Sequence, residues 1–287
     1  MSIKNISWRG ADTDRKPSAS VWSNCPFDHI RNGVVNGVWF EDNFQNFNVT
    51  PPTTEGNWSG SAGGYAVFSS TGGTITPQSL SALTKAGLPT SGITIASDDD
   101  NEGVGIRTLS TPFALNRANQ RFWFECCIKK SSIANTIAEF FIGLMENTAL
   151  TAVVPITTTA ATLADKNLFG FYSTESAGSN ASVTYKADGV AAVVVSSNEI
   201  TFTANTFTKL GIKYEPNGDA AGSYALSFYQ DGTRLASTKI IPDSSGTDFP
   251  TDVAMGPALA IRNAAGSSPG NVTIQWWRAA QLYAPLN

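Results

Sequence analysis

Hydrophobic and polar residues alternate along most of this chain, in short runs that end at Gly, Pro, Asn or Asp. In the last third, two such runs flank the pair Asp231-Gly232. A two-residue Asp-Gly connection is typical of a β-hairpin, because the turn requires positive φ and glycine adopts it without steric cost. The alternation predicts that Ala225, Phe228 and Leu235 are buried, whereas Ser227 lies nearer to water.

Similar runs recur from Val34 to Leu282 and predict an all-β chain, an antiparallel β-sandwich. The residues predicted for its core are Phe122, Phe124, Phe140, Ile142, Phe169, Phe171, Leu210, Ile212, Phe228 and Ile274. One segment, TPQSLSALTKAGLP, is also compatible with a short helix that has Thr76 as N-cap, Pro77 at its first position and Gly87 near its end. A loop remains the alternative for that segment.

The first 34 residues follow neither a helical nor a strand period, and basic and acidic side chains alternate within them. We therefore divide the chain into an extended N-terminal arm, 1–34, and a sandwich domain, 35–287. Trp8, Trp22 and Phe27 lie in the arm. Large aromatic side chains without a core of their own must pack either on the main domain or on a neighbouring subunit. Both alternatives stay open; if the arm binds a neighbouring subunit or a shell, we expect it to be protease-sensitive in the free monomer.

Charged residues make up only 15% of the chain, its net charge is −4 and its pI is about 5.0. This balance provides no electrostatic attraction for phosphate, so we expect no nucleic acid partner. The chain has neither a signal-peptide pattern nor a long apolar run, so we expect no membrane association. The three cysteines, with Cys126 and Cys127 adjacent, favour free thiols and assembly in a host cytoplasm.

Catalytic residue patterns are sparse. The single histidine, His29, lies in the arm, which argues against nucleophile–imidazole sites, and no Cys-x-x-Cys pair occurs. Paired carboxylates remain the arrangement that a sandwich glycosidase needs. Glu125, Glu139 and Glu146 are scattered among apolar runs, and we interpret them as solvated carboxylates at strand edges. The sequence therefore predicts a protein that is not an enzyme and has no cofactor, with a glycosidase or lyase as the minor alternative.

Three further features bear on binding. The acidic cluster Asp98–Glu102 lacks the spacing of a calcium loop, so we expect no metal. The Thr/Ala-rich connection 147–165 is long enough to be an interaction element. Trp276 and Trp277 alternate across a strand, which would direct one ring into the core and the other outward. Outward tryptophans serve both sugar stacking and subunit contacts.

In order, the C-terminal segments FTKLGIKYE, YQDG, GPALAIRN and VTIQWWRAAQ resemble the concanavalin A-like, or laminin G-like, sandwich. The segments FWFECCIKKSS, FFIGLMEN, LADKNLFGFYS and VTYKADG resemble a group of tailed-bacteriophage virion proteins, the capsid decoration or cement proteins. The second resemblance implies a structural protein whose binding function is spread over a surface, without a residue signature to transfer.

From these features we expect a bacteriophage virion protein that binds and stabilises the assembled capsid. Its partners would be the major capsid protein of the same virion and further copies of itself, with a trimer favoured. Trp8, Trp22, Phe27, Trp276 and Trp277 are the candidate interface residues. The alternative is a carbohydrate-binding or receptor-binding sandwich domain of a tail fibre or spike.

Overall fold

A computed structural model describes residues 16–44, 47, 59–60, 64–69, 73–77, 92–97, 102–115, 120–134, 139–147, 156, 163–174, 177–218, 223–242, 248–263 and 270–283. One helix, α1, spans Phe27–Arg31. The strands are β1 Gly37–Asp42, β2 Ser59–Gly60, β3 Tyr65–Ser69, β4 Thr74–Pro77, β5 Ile93–Ala96, β6 Gly103–Thr108, β7 Arg121–Lys130, β8 Glu139–Glu146, β9 Leu168–Ser173, β10 Asn180–Lys186, β11 Val193–Thr201, β12 Thr208–Pro216, β13 Ser223–Gln230, β14 Thr233–Pro242, β15 Met255–Arg262 and β16 Asn271–Leu282. Trp8, Gly87 and the cluster residues 98–101 lie outside the described residues.

The strands form two antiparallel sheets that pack face to face. The first sheet has the order β14-β13-β12-β7-β16-β5-β4, with β1 also paired to β16. The second has the order β11-β10-β9-β8-β15-β6-β3-β2. Consecutive strands pair at the edges of each sheet, whereas its centre joins distant parts of the chain, as in the pairing of β7 with β16. The protein is a concanavalin A-like jelly-roll sandwich, which confirms the predicted fold class.

The space between the two sheets is filled mainly by aromatic and branched aliphatic side chains. All ten residues predicted for the core are fully buried there. The aromatic rings of the first sheet contact those of the second. The ring centroids of Phe122 and Phe169 lie 5.6 Å apart, and those of Phe171 and Phe228 lie 6.1 Å apart. Alternation along each strand was sufficient to assign these residues, because neighbouring residues in a strand point to opposite faces.

The β13–β14 hairpin has the predicted turn, with φ of 50° at Asp231 and 78° at Gly232. Phe228 is buried as predicted, and Leu235 packs against the core. The prediction for Ser227 is wrong, since it is only 2% exposed. It lies between Lys213 of β12 and Thr238 of β14, so neighbouring strands flank it on both sides.

The helix predicted to begin at Thr76 does not begin there. Thr76 and Pro77 are the last residues of β4, which pairs with β5 through Thr76 opposite Thr94 and Pro77 opposite Ile93. A proline is tolerated at this position because β4 is an edge strand, where a backbone N–H can be missing. The remainder of the predicted helix lies outside the described residues.

Candidate functional site on the outer sheet faces

The outer face of the first sheet is covered by residues 16–31, which we call the N-terminal cover. Its main polar anchor is Glu125 of β7, whose side chain is fully buried. The Ser18 backbone N–H donates to both carboxylate oxygens, at 3.1 and 3.0 Å, and the Trp22 indole N–H donates to one of them at 2.7 Å. Hydrogen bonds to a charged acceptor are the stronger kind, so these contacts tie the cover to the sheet.

The interpretation of Glu125 as a solvated edge carboxylate is wrong. β7 is a central strand, between β12 and β16, and the N-terminal cover lies over this position. Burial raises the pKa of Glu125, while the hydrogen bonds from Ser18 and Trp22 act in the opposite direction. Arg278 stands directly opposite Glu125 on β16 and forms an ion pair with Glu41 at 2.7 Å. The buried carboxylate therefore has both hydrogen-bond donors and a nearby cation.

Glycines in the first sheet make room for the N-terminal cover. A Cβ at Gly211 would lie 2.6 Å from a methyl group of Val21, which is fully buried. At the start of the cover, Lys209 donates to the Lys16 carbonyl oxygen at 3.1 Å, and in its middle Lys213 donates to the Ser23 hydroxyl at 3.3 Å. The described part of the arm thus packs on its own sandwich, the first of the two alternatives that the sequence left open.

Two aromatic interface candidates of the arm, Trp22 and Phe27, lie in the same layer. The ring of Trp39 in β1 lies 5.5 Å from that of Trp22 and 5.9 Å from that of Phe27, between centroids. The fully buried Trp123 belongs to the same cluster. Within the monomer, Trp22 and Phe27 therefore contact their own domain, while their contribution to any subunit contact stays a prediction.

Trp276 and Trp277 point to opposite faces of β16, as the alternation predicts. Trp277 is fully buried between the sheets, 5.3 Å from Phe44 and 6.0 Å from Tyr65 between ring centroids. That position removes it from the monomer surface. Trp276 lies on the outer face but is only 6% exposed, and the Arg278 guanidinium lies 5.5 Å from its ring centre.

Part of the outer face of the second sheet is covered by described residues of the connection between β8 and β9, which runs from 147 to 167 and which we call the β8–β9 connection. Its described residues Ile156 and Leu163 pair with each other through a β-bridge. They form an apolar cluster with sheet residues Phe141, Met145, Leu168 and Ala258. All six side chains of this cluster are at most 8% exposed. The long connection predicted to be an interaction element thus packs, at these positions, on its own sheet.

Beside this cluster lies a group of polar side chains, Glu139, Tyr172 and Arg262. Glu139 of β8 stands directly opposite Arg262 of β15, and both are at least 95% buried. The Arg262 guanidinium donates to the carbonyl oxygen of Ile156 at 3.3 Å. Burial lowers the pKa of Arg262, and Glu139 opposes that change. Burial and then the charge of Glu139 raise the pKa of Tyr172.

Glu139 and Glu146 are also not solvated edge carboxylates, because β8 lies in the middle of the second sheet between β9 and β15. Glu146 is 5% exposed and accepts a hydrogen bond from the Asn167 amide at 2.6 Å. The sequence signal that would have revealed this burial is the run EFFIGLME. It is apolar on both faces, which is typical of a strand covered on both sides.

The neighbouring strands β8 and β9 approach closely beneath this group. A Cβ at Gly143 would lie 2.2 Å from the Phe169 carbonyl oxygen, and one at Gly170 would lie 2.3 Å from that of Ile142. Side chains at these positions would push the strands apart. Glycine at both positions therefore permits the close strand pairing on which the polar group rests.

Metal and membrane signatures are absent from the described part of the chain. Its residues include no group of three His, Cys, Asp or Glu side chains placed to hold a metal ion. Across the same residues, no helix is long and apolar enough to cross a membrane. Cys25, Cys126 and Cys127 are free thiols, and burial raises the pKa of Cys25 to about 12.

No protein-family model and no curated protein matches this sequence. Several solved structures share its fold. A protein of unknown function from Shewanella oneidensis MR-1 is 14% identical, with a TM-score of 0.53, over 91% of this chain and 96% of that chain. An endo-β-1,4-glucuronan lyase from Trichoderma reesei is 10% identical, with a TM-score of 0.51, over 78% and 92%. An endo-1,3-β-glucanase from Streptomyces sioyaensis is 10% identical, with a TM-score of 0.51, over 86% and 97%.

These similarities correct the expectation that the protein is not an enzyme. Two of the three structures are polysaccharide-cleaving enzymes, so the sandwich fold itself gives no ground for excluding catalysis. Identities of 10–14% establish a shared fold and do not assign a reaction.

Proposed function

We propose that the protein is a bacteriophage virion protein that binds the assembled capsid and stabilises it. The observation that carries the proposal is that Ile156 and Leu163 cover a patch of the second sheet's outer face, over β8, β9 and β15. An extended ligand lying along that face would have to displace the chain's own residues. Recognition through the exposed surface of the sandwich needs no such rearrangement. The resemblance to tailed-bacteriophage virion proteins and the low charge content, 15%, support the same conclusion.

The mechanism is linkage between binding and assembly. A protein that binds the assembled lattice but not its free subunits adds its binding free energy to the stability of the shell. Many copies bound to one shell, or several copies joined in one oligomer, increase the effect through avidity. Such a protein acts in the virion and is assembled with it in the host cytoplasm. The major capsid protein is the partner.

Within the arm, the proposal assigns shell or subunit contact to residues 1–15, which include Trp8. Residues 16–31 already contact Glu125 and Gly211 of their own domain. A segment that folds on its partner contributes contacts there while losing conformational entropy. The arm is therefore divided by role, with a basal part that covers the sheet and a terminal part that binds.

The test is co-sedimentation with empty capsids from the virus that encodes this chain. Full-length protein should sediment with the shells, saturate at a fixed number of copies per capsid and raise the shell's melting temperature. A chain lacking residues 2–15 should bind at least tenfold more weakly, with its own melting temperature unchanged. Failure of the full-length chain to bind shells at any concentration would refute the proposed function.

A carbohydrate-binding sandwich is the second candidate, favoured by the group Glu139, Tyr172 and Arg262 on the outer face of the second sheet. A carboxylate, a guanidinium and an aromatic ring are groups that bind sugar hydroxyls and stack on sugar rings. Access to them would require movement of the β8–β9 connection, whose Ile156 carbonyl oxygen is bonded to Arg262.

A glycan array followed by calorimetry tests this candidate. Binding to any glycan should weaken at least tenfold in Glu139→Gln. It should be unchanged in Glu146→Gln, a matched buried carboxylate on the same strand that contacts Asn167 instead. Product analysis of the bound polysaccharide would reveal any cleavage. An array without a bound glycan would exclude the second candidate and leave the first untouched.

A further inference from the structure

Five of the described strands pair with one neighbour only, and four of them carry features that oppose pairing with another chain. β1 ends in the acidic residues Glu41 and Asp42. β2 has only two residues. β4 has four residues and ends at Pro77. β14 carries Arg234 and Lys239 and ends at Pro242. Short length, charge and proline are the usual means by which edge strands avoid adding a further strand.

The remaining edge strand, β11, lacks these features over its first half. Residues 189–198 read GVAAVVVSSN and contain neither a charge nor a proline. Val194 is 42% exposed, and the preceding Ala191 and Ala192 are exposed as well. Among the described strands, β11 pairs only with β10. Three consecutive valines also favour extended backbone.

The second half of β11 is joined to the other sheet. The Gln230 side chain exchanges two hydrogen bonds with the Thr201 backbone, at 3.1 and 2.6 Å. Glu199 accepts a hydrogen bond from the backbone N–H of Ser237 in β14 at 3.2 Å. Strand β11 is therefore held in place at one end while residues 191–197 remain on the surface. Ile240 of β14, 43% exposed, lies along the same side of the sandwich.

We propose that residues 191–197, the first half of β11 and the two residues before it, pair antiparallel with the same residues of a second copy across a twofold axis. The pairing joins the second sheets of the two copies into one continuous sheet. A second copy is the occupant that the charges favour. Two uncharged edges meet without repulsion, and a strand edge is complementary to itself in the antiparallel orientation. The pairing would satisfy backbone groups at the edge and bury Val194 of both copies.

Light scattering of the full-length protein tests the pairing, with Val194→Lys as the disrupting variant. The full-length chain should show twice the monomer mass of 30.4 kDa, and Val194→Lys should show the monomer mass. Leu109→Lys is the matched control, since Leu109 is 43% exposed outside the strands. It should leave the mass unchanged. If Val194→Lys fails to fold, Ala191→Lys serves the same purpose at the end of the paired segment.

The position and the antiparallel orientation of the proposed strand pair are tested by Val194→Cys. Oxidation should link two copies through this residue at least tenfold faster than through Leu109→Cys. A monomeric full-length protein at all concentrations would overturn the proposal. So would a dimer or trimer whose mass is the same in Val194→Lys and Ala191→Lys.

Discussion

The outer face of the first sheet is covered by residues that precede the sandwich, whereas the outer face of the second sheet is covered by a connection between two of its own strands. The N-terminal cover is fixed by hydrogen bonds to Glu125 and by packing of Val21 against Gly211. The β8–β9 connection is fixed by an apolar cluster around Phe141 and by one bond from Arg262. One cover is anchored by a buried charge and the other mainly by apolar contacts.

The difference has consequences for how each cover can open. The N-terminal cover leads into β1, and none of its residues belongs to a described strand. It can leave the sheet without disturbing any strand pair, although it would expose the Glu125 carboxylate to water. The β8–β9 connection is attached at both ends to neighbouring central strands. Its release would expose Phe141 and Met145 together, so we expect it to open only with wider unfolding.

The largest expected effect comes from Phe141→Ala. Phe141 is fully buried beneath Ile156 and Leu163, so its loss should cost about 3–5 kcal/mol in unfolding free energy. Phe124→Ala in the main core should cost the same. Urea denaturation measures both, with Tyr172→Phe as a mild control on the same outer face. A loss below about 1 kcal/mol for Phe141→Ala would show that the apolar cluster beneath the β8–β9 connection contributes little to stability.

The buried Lys130, between the sheets, tests whether the pH dependence of the unfolding free energy arises from the interior and not from the N-terminal cover or the β8–β9 connection. Burial lowers the pKa of Lys130 to about 8, and its ammonium group lies 5.4 Å from the Phe140 ring centre. Between about pH 8 and 10.5 the unfolded chain then binds more protons than the folded one, so the unfolding free energy should rise with pH.

The rise should approach about 3 kcal/mol, at about 1.36 kcal/mol per unit of pKa difference. Lys130→Met should abolish it, and denaturation at several pH values measures both proteins. Stability that falls with pH in wild type relative to Lys130→Met, or the same pH dependence in both, would contradict the assignment.

The N-terminal cover is tested by Trp22→Phe, which removes the indole donor to Glu125. The lost hydrogen bond to a charged group should cost about 1.5–3 kcal/mol. Hydrogen exchange should show that cost as faster exchange confined to residues 18–31. Trp39→Phe shrinks a ring that contacts Trp22 while retaining the bond to Glu125, so it should accelerate exchange less. Equal acceleration in both variants would show that ring packing, not the hydrogen bond, fixes the cover.

The smallest expected effect is that of calcium removal, which touches neither cover. The cluster Asp98–Glu102 lacks the alternating spacing of a calcium loop. A chelator should therefore leave the melting temperature unchanged, as measured by calorimetry. A drop of several degrees would reveal a bound metal and would favour the carbohydrate-binding candidate.

Sequence by itself determined most of the strands, though not β4, together with the hairpin at Asp231-Gly232 and the ten core residues, because alternation and turn chemistry are local properties. Tertiary structure alone decided the environments of Glu125 and Glu139. The groups that bury Glu125 lie more than 100 residues away in the chain, and the carbonyl oxygen that meets Arg262 beside Glu139 comes from a connection without strand periodicity. A run that is apolar on both faces, such as EFFIGLME, indicates that a carboxylate within it is covered. Which groups meet that carboxylate depends on which distant residues form the cover, and no local pattern records that.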